Sequence, residues 1–297
     1  MRILLTNDDG IRAPGIIAMH EAFRNAVDAG NVEILVVAPD TVQSATSHGV
    51  TFHEPLMVNR VRVPGAYDGY AVGGRPADCV KLAIAELWPA QFGAGSKPDL
   101  VISGMNAGAN CGINVIYSGT VAAALEAAFL GSPSIAVSLH LGPGRAMFDV
   151  AASRAKRAID RILSSQLLGT GSCVSINVPR TEEPDDEIAR ASDPEQMPVG
   201  TRRRAAAGPR PDLVASMPDP ELVVCPMNTH GMVDRFEKRE SPSGETYYWA
   251  SGGGTDFQGT DDETDVHHLL EGKTTVTPLI HDLTDASNLP GWAGALI

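Results

Sequence analysis

The 297-residue chain is 43% hydrophobic and 20% charged, enough to bury one sizeable core, alone or with a small appendage. Its formal net charge of −13 argues against broad binding to a phosphate backbone, so no stable nucleic-acid partner is expected. The longest apolar runs, VEILVVA and PSIAVSL, fall well short of the roughly 20 residues a spanning helix needs, and the N-terminus lacks the regions of a signal peptide. A soluble, cytoplasmic protein with no membrane partner is expected.

The first predicted element is RILLT, a short apolar run that reads as a buried strand and ends on Asn7-Asp8-Asp9-Gly10. Adjacent carboxylates repel, so something has to offset their charge. GIIAMHEAFRNAV then reads as a helix and VEILVVAPD as a second strand, which leads into the hydroxyl-bearing loop PDTVQSATSHG. ADCVKLAIAELW reads as a helix and DLVISGMN as a strand, and the loop GMNAGANCGINVIYSGT runs straight into the helix TVAAALEAAFL. PSIAVSL, ASRAKRAIDRIL and CVSINVP continue the alternation of near-continuous apolar strands with helices. This pattern predicts an α/β fold, doubly wound and Rossmann-like, with a mostly parallel sheet covered on both faces. In such sheets ligands collect beyond the carboxyl ends of the strands, where the strand order reverses.

The residues at those ends supply carboxylates, hydroxyls and carboxamides. Hard oxygen donors of this kind suit Mg²⁺, Mn²⁺ or Ca²⁺ rather than zinc. A divalent cation would turn the repulsion of Asp8 and Asp9 into shared coordination and give an acidic chain a local positive charge. Asp-Asp-Gly is also a common turn, and Asn106, Asn110 and Asn114 also suit loop turns, so both readings stand at this point. Ser118 or Thr120 can cap the helix that follows, and Gly119 at its start leaves N–H groups to meet an anion such as phosphate. His48 and His53 read as ordinary histidines. Neither a Walker A pattern nor GxGxxG occurs. Cys79, Cys111, Cys173 and Cys225 have no CxxC spacing, so buried free thiols rather than a zinc site are expected. The basic run TRRRAAAGPR falls in a Pro-, Gly- and Glu-rich stretch without apolar periodicity, which reads as a solvated insertion.

Taken together, several segments resemble the SurE survival-protein family of metal-dependent 5'/3'-nucleotidases. They are ILLTNDDGIRAPGI, VVAPDTVQSATSHGVT, GGRPADCVKLAI, SGMNAGANCGINVIYSGTVAAALEAAFLG, PSIAVSL, SINVP, YYWASGG with TDFQGTDDETDV, and TVTPLIHDLT. They cover most of residues 1–180 and 222–285 in the family's order. The resemblance implies one divalent cation per subunit, Mg²⁺ or Mn²⁺, bound by Asp8, Asp9, Ser44 and Asn106, with the two aspartates also catalytic. It implies phosphate contacts from Ser118, Gly119 and Thr120 and from Asn110. The implied reaction is hydrolysis of nucleoside monophosphates to nucleoside and phosphate, with polyphosphate as a further substrate to test.

The resemblance also implies a catalytic core over 1–180, an insertion over 181–221, a hairpin oligomerisation arm over 222–255 and a segment over 256–297 that returns to the core. The arm, with Ser-Pro-Ser-Gly as its turn, would be exchanged between subunits of a homodimer or homotetramer. The chain departs from the family at Asn114, where Asp is usual, and at Gly74-Arg75-Pro76-Ala77-Asp78-Cys79, where GTP-x-D-C is usual. Arg75 thus points either toward the substrate phosphate or into solvent. Two other readings are a nucleotide-binding module without turnover and an oxidoreductase on the same sheet. The complete ligand set counts against the first and the missing glycine fingerprint against the second.

Overall fold

The computed structural model describes residues 1–182, 218–251 and 256–296. β1 (Arg2–Thr6) is buried from Ile3 onward, and strands form on both sides of it. It pairs in parallel with β2 (Glu33–Pro39) and with β5 (Leu100–Ala107), so that Ile3 lies opposite both Ile34 and Leu100. Beyond β2 come β4 (Tyr67–Val72), in parallel, and β3 (Val58–Val63), an antiparallel edge. Beyond β5 come β6 (Ser134–Leu139) and β7 (Cys173–Val178), both parallel and buried along their whole length. β11 (Thr274–Leu279) runs antiparallel to β7, and β8 (Leu222–Val224) pairs in parallel with β11. Among the described residues the sheet order is therefore β3-β4-β2-β1-β5-β6-β7-β11-β8.

Strand alternation sorts the core onto two faces. Ile3 and Leu5 of β1 point to the side packed by α1 (Pro14–Ala22) and α6 (Phe148–Ser164), with Ile16, Met19 and Ile159. Leu4 points to the other side, with Val80 of α3 (Pro76–Leu82), Trp88 of α4 (Trp88–Phe92) and Ala123 of α5 (Gly119–Phe129). Helices thus cover both faces, as the apolar strands require. The expected first helix breaks at Phe23, between α1 and α2 (Arg24–Asp28). The helix expected over ADCVKLAIAELW runs from α3 through a wider turn (Ala83–Leu87) into α4.

The C-terminal hairpin consists of β9 (Phe236–Glu240) and β10 (Thr246–Ala250). Its turn is Ser241-Pro242-Ser243-Gly244, with Gly244 in the left-handed region at φ 86°. Every residue of both strands is exposed. α7 (Asp265–Leu270) packs beside β11, whereas α8 (Leu289–Leu296) buries no residue. Most of the expected insertion, 183–217, lies outside the described residues. All four cysteines are free and buried, and no helix among the described residues is long and apolar enough to cross a membrane.

Candidate active site

The chain builds outward from β1 through β2 to β4, then returns to β5 on the other side of β1. The strand order reverses there, the place in such sheets where ligands collect, and the loops beyond β1 and β5 stand on either side of it. Asp8 and Asp9 follow β1, and Asn106 is the next-to-last residue of β5. Ser44 stands in the loop after β2, and Ser118, Gly119 and Thr120 begin α5.

Local sequence sets each side chain. The Asn7 carboxamide donates to the Gly10 carbonyl at 2.9 Å, and Gly10 takes φ 97°, so Asn-Asp-Asp-Gly is indeed a tight turn. That turn also sets where the two carboxylates stand, so a turn here does not speak against a cation site. A register shift in β5 between Ser103 and Asn106 re-aims the strand end. It brings the Met105 carbonyl against α1 at Gly15, where any side chain would collide with it. The Asn106 amide nitrogen donates to the Gly108 carbonyl at 2.7 Å, which leaves the amide oxygen as the side chain's available acceptor.

Asp9 Oδ2 accepts the Ala107 N–H at 2.8 Å, so the β5 loop holds the second carboxylate. Asp8 is held from α5: the Thr120 hydroxyl donates to its Oδ1. A Cβ built on Gly119 would lie 3.0 Å from Asp8 Cβ and 3.1 Å from Asp8 Oδ2, so only glycine lets the helix come this near. The Asp8 carbonyl in turn accepts the Gln43 N–H at 2.7 Å, which ties the Ser44 loop to the same residue. Asp8, Asp9, Ser44 and Asn106 are thus carried by loops that are bonded to one another.

The expected phosphate contacts divide differently. Ser118 Oγ accepts the Val121 N–H at 3.1 Å, so this hydroxyl caps α5. Thr120 is fully buried and its hydroxyl is spent on Asp8. The Gly119 N–H, first in its helix, has no intrahelical partner and is the group best disposed toward an anion. Asn110 is buried; its amide nitrogen donates to Ser138 Oγ at 2.8 Å, while its backbone exchanges hydrogen bonds with the Asn177 side chain at 2.9 and 3.0 Å.

Burial pushes the Asp8 carboxyl up to about 6, and the neighbouring Asp9 adds to the rise, against the opposing Thr120 hydroxyl. Burial also raises Asp9, opposed by the Ala107 N–H. No cationic side chain contributes to either shift. The two desolvated carboxylates, the Asn106 carboxamide next to Ala107 and the Ser44 hydroxyl next to Gln43 offer oxygen donors only, a chemistry that fits a hard divalent cation.

Sequence reasoning missed Thr120 as the holder of Asp8, and it missed Asp265. Asp265, 1% exposed at the start of α7, accepts the Gly112 N–H at 2.8 Å and the Asn228 N–H at 2.9 Å, and so braces the loop between β5 and α5. Nothing in TDDETDV distinguishes it from its acidic neighbours. Among the described residues, His267, His268 and Glu271 also gather with metal-ligand spacing. There the Lys273 ammonium lies 2.9 Å from Glu271 and 3.3 Å from His268 Nδ1, so a cation is already built into that cluster.

Residues 3–198 match the family model described as Survival protein SurE. The chain belongs to the SurE family. A protein from Rhodopirellula baltica named 5'-nucleotidase SurE is 38% identical over 284 residues, covering 96% of this chain and 94% of the relative. One of the same name from Heliobacterium modesticaldum is 38% identical over 298 residues, covering 99% and 92%. The structure is similar to that of SurE protein from Aquifex aeolicus, with a TM-score of 0.72, 28% identity and 99% of each chain covered. The SurE match extends past residue 182, into the segment that reads as an insertion.

Proposed function

We propose that the protein is a divalent-metal-dependent 5'-nucleotidase that hydrolyses nucleoside monophosphates to nucleoside and phosphate. The observation that carries this reading is the binding of Asp8 to Thr120 and of Asp9 to Ala107, which aims two acidic, cation-free carboxylates into one strand-end crevice. The curated relatives' shared name supplies the reaction class.

On this reading Asp8, Asp9, Ser44 and Asn106 hold one Mg²⁺ or Mn²⁺ per subunit. Such a cation supplies Lewis-acid polarisation of a phosphoryl oxygen and activation of water. Thr120 keeps Asp8 oriented, and the Ala107 N–H does the same for Asp9. The Gly119 N–H and the remaining Asn110 amide hydrogen orient the phosphate, with Ser118 fixing the helix end behind them. One of the two carboxylates takes the proton of the attacking water. Hydrolysis at the 3' position and of polyphosphate belongs to the same reading, since the crevice chemistry is directed at a phosphoryl group.

The hairpin serves as an oligomerisation arm in a homodimer or homotetramer. Phe236, Tyr247, Tyr248 and Trp249 are 40–65% exposed on an isolated two-stranded ribbon, which is marginal in water without a cover. The core then takes in 1–180 with β8 and β11, which lie in the main sheet, so the arm expected over 222–255 narrows to the hairpin Phe236–Ala250; most of the insertion expected over 181–221 lies outside the described residues. Four buried free thiols suit a cytoplasmic setting. Phosphate release from a panel of nucleoside 5'- and 3'-monophosphates and short polyphosphate, with EDTA and with Mg²⁺, Mn²⁺ or Zn²⁺ added back, tests the reading. Turnover undiminished by excess chelator refutes it.

A further inference from the structure

Resting on that reading, we infer that His48 is a positioning residue for the cation site: it fastens the loop that presents Ser44 to the flank of α5, the helix whose first turn holds Asp8. The loop from Asp40 to Met57 contains no helix or strand, and Ser44 is exposed on it. Ala45 (φ 56°) and Ser47 (φ 54°) take left-handed conformations, which residues with a Cβ disfavour. A segment of this kind keeps one shape only if outside contacts impose it.

Those contacts are spread along it. Gln43 N–H reaches the Asp8 carbonyl, and Ser47 donates through its N–H to the Tyr117 carbonyl at 3.1 Å and through its hydroxyl to the Ile116 carbonyl at 2.7 Å. Thr51 donates twice to the Asp78 carboxylate, at 2.9 and 2.7 Å. Between them His48 Nε2 lies 2.7 Å from Glu126 Oε2 on α5. The other Glu126 oxygen accepts from Lys81 of α3 at 3.0 Å.

Glu126 is 5% exposed in a helix otherwise built of small and apolar residues, so its carboxylate depends on partners from outside that helix. Burial pushes its carboxyl up, and the hydrogen bonds from His48 and Lys81 outweigh it, so the group stays ionised and can only accept. His48 therefore carries its proton on Nε2. Its ring also stacks on Phe129, three residues further along α5, at 5.3 Å and 6°. α5 thus grips Asp8 at its first turn and the Ser44 loop at its side, and it sets the separation of the two.

A contact that merely fastened the loop for stability would leave cation affinity unchanged. The experiment is Mn²⁺ binding to the chelator-stripped protein at pH 7.5, by calorimetry or EPR, for the wild type, His48→Leu and His48→Gln. Glutamine Nε2 reaches as far as the imidazole Nε2 and restores the bond to Glu126. His48→Leu is expected to bind Mn²⁺ about tenfold more weakly with little change in melting temperature, and His48→Gln to recover most of the loss. With Mn²⁺ raised to saturation, kcat and the nucleotide KM of His48→Leu should return toward wild type. Wild-type affinity in His48→Leu, or equal loss in both variants, overturns the inference alone. A wild type that binds no Mn²⁺ overturns the cation reading beneath it.

Discussion

The Thr120 hydroxyl donates to Asp8 Oδ1, so the helix that closes the β5 loop holds the carboxylate that ends β1. Thr120→Val keeps the shape and removes this donor. Mn²⁺ affinity should fall about 10- to 100-fold, the range typical of lost outer-shell partners, while Thr120→Ser stays close to wild type. Calorimetric titration of the three proteins checks it.

Asp8→Asn removes charge while keeping the oxygen that accepts from Thr120. Cation affinity and hydrolysis should be lost, yet the metal-free protein should melt no lower than wild type. A carboxyl held near 6 instead of 3.8 makes the ionised group unfavourable by up to about 3 kcal/mol above pH 6. A clearly lower melting temperature of apo Asp8→Asn would mean that the carboxylate is structural.

The same shift sets a pH dependence. The folded apo protein holds the Asp8 proton more tightly than the unfolded chain, so its contribution to stability is full below about 3.8 and is lost as pH rises through about 6. The wild type should therefore be least stable relative to Asp8→Asn above pH 6 and draw level toward pH 4. Protons compete with the cation, so Mn²⁺ should bind more weakly at pH 5 than at pH 7.5. Urea titrations and binding isotherms at the two ends of the range test both signs.

How much of this was legible in the sequence depends on the kind of signal. The central strands were legible because strands buried on both faces carry near-continuous apolar runs, as ILL of β1 and ILVVA of β2 do. The β3–β4 ribbon was not: in VNRVRV only Val63 is buried, so an edge strand with exposed charges carried no apolar run to read. The acidic pair at β1 could be read because like charges demand an explanation. From sequence Thr120 read as a helix cap, and as a phosphate contact only through the family resemblance; its bond to Asp8 was not legible, because only the folding of β1 beside β5 brings the two together.

Gly119→Ala gives a steric test of the same contact. The added methyl would press on Asp8 from 3.0 Å and on Pro76 Cγ from 3.1 Å, and neither can retreat far. Cation affinity should drop at least as much as in Thr120→Val, with secondary structure by circular dichroism unchanged.

Deleting Phe236–Ala250 and bridging the gap with a short Gly-Ser linker should leave a smaller assembly with an intact core. The cut must spare Leu222–Val224, because β8 pairs with β11 in the main sheet. Sedimentation of the deletion protein measures it; an unchanged mass would refute the arm.

Gly112, in the loop that leads to α5, is braced by Asp265, and β11 enters the sheet beside β7 only from the last part of the chain. On a ribosome the order of manufacture is therefore the reverse of the order of completion. Asp8 emerges first, Asn106 and Thr120 follow, and Asp265, the carboxylate that steadies their loop, is made well after all three. A nascent chain can pair β1 with β2 and β5 and still lack the brace on the loop before α5, which arrives only once Asp265 has been made.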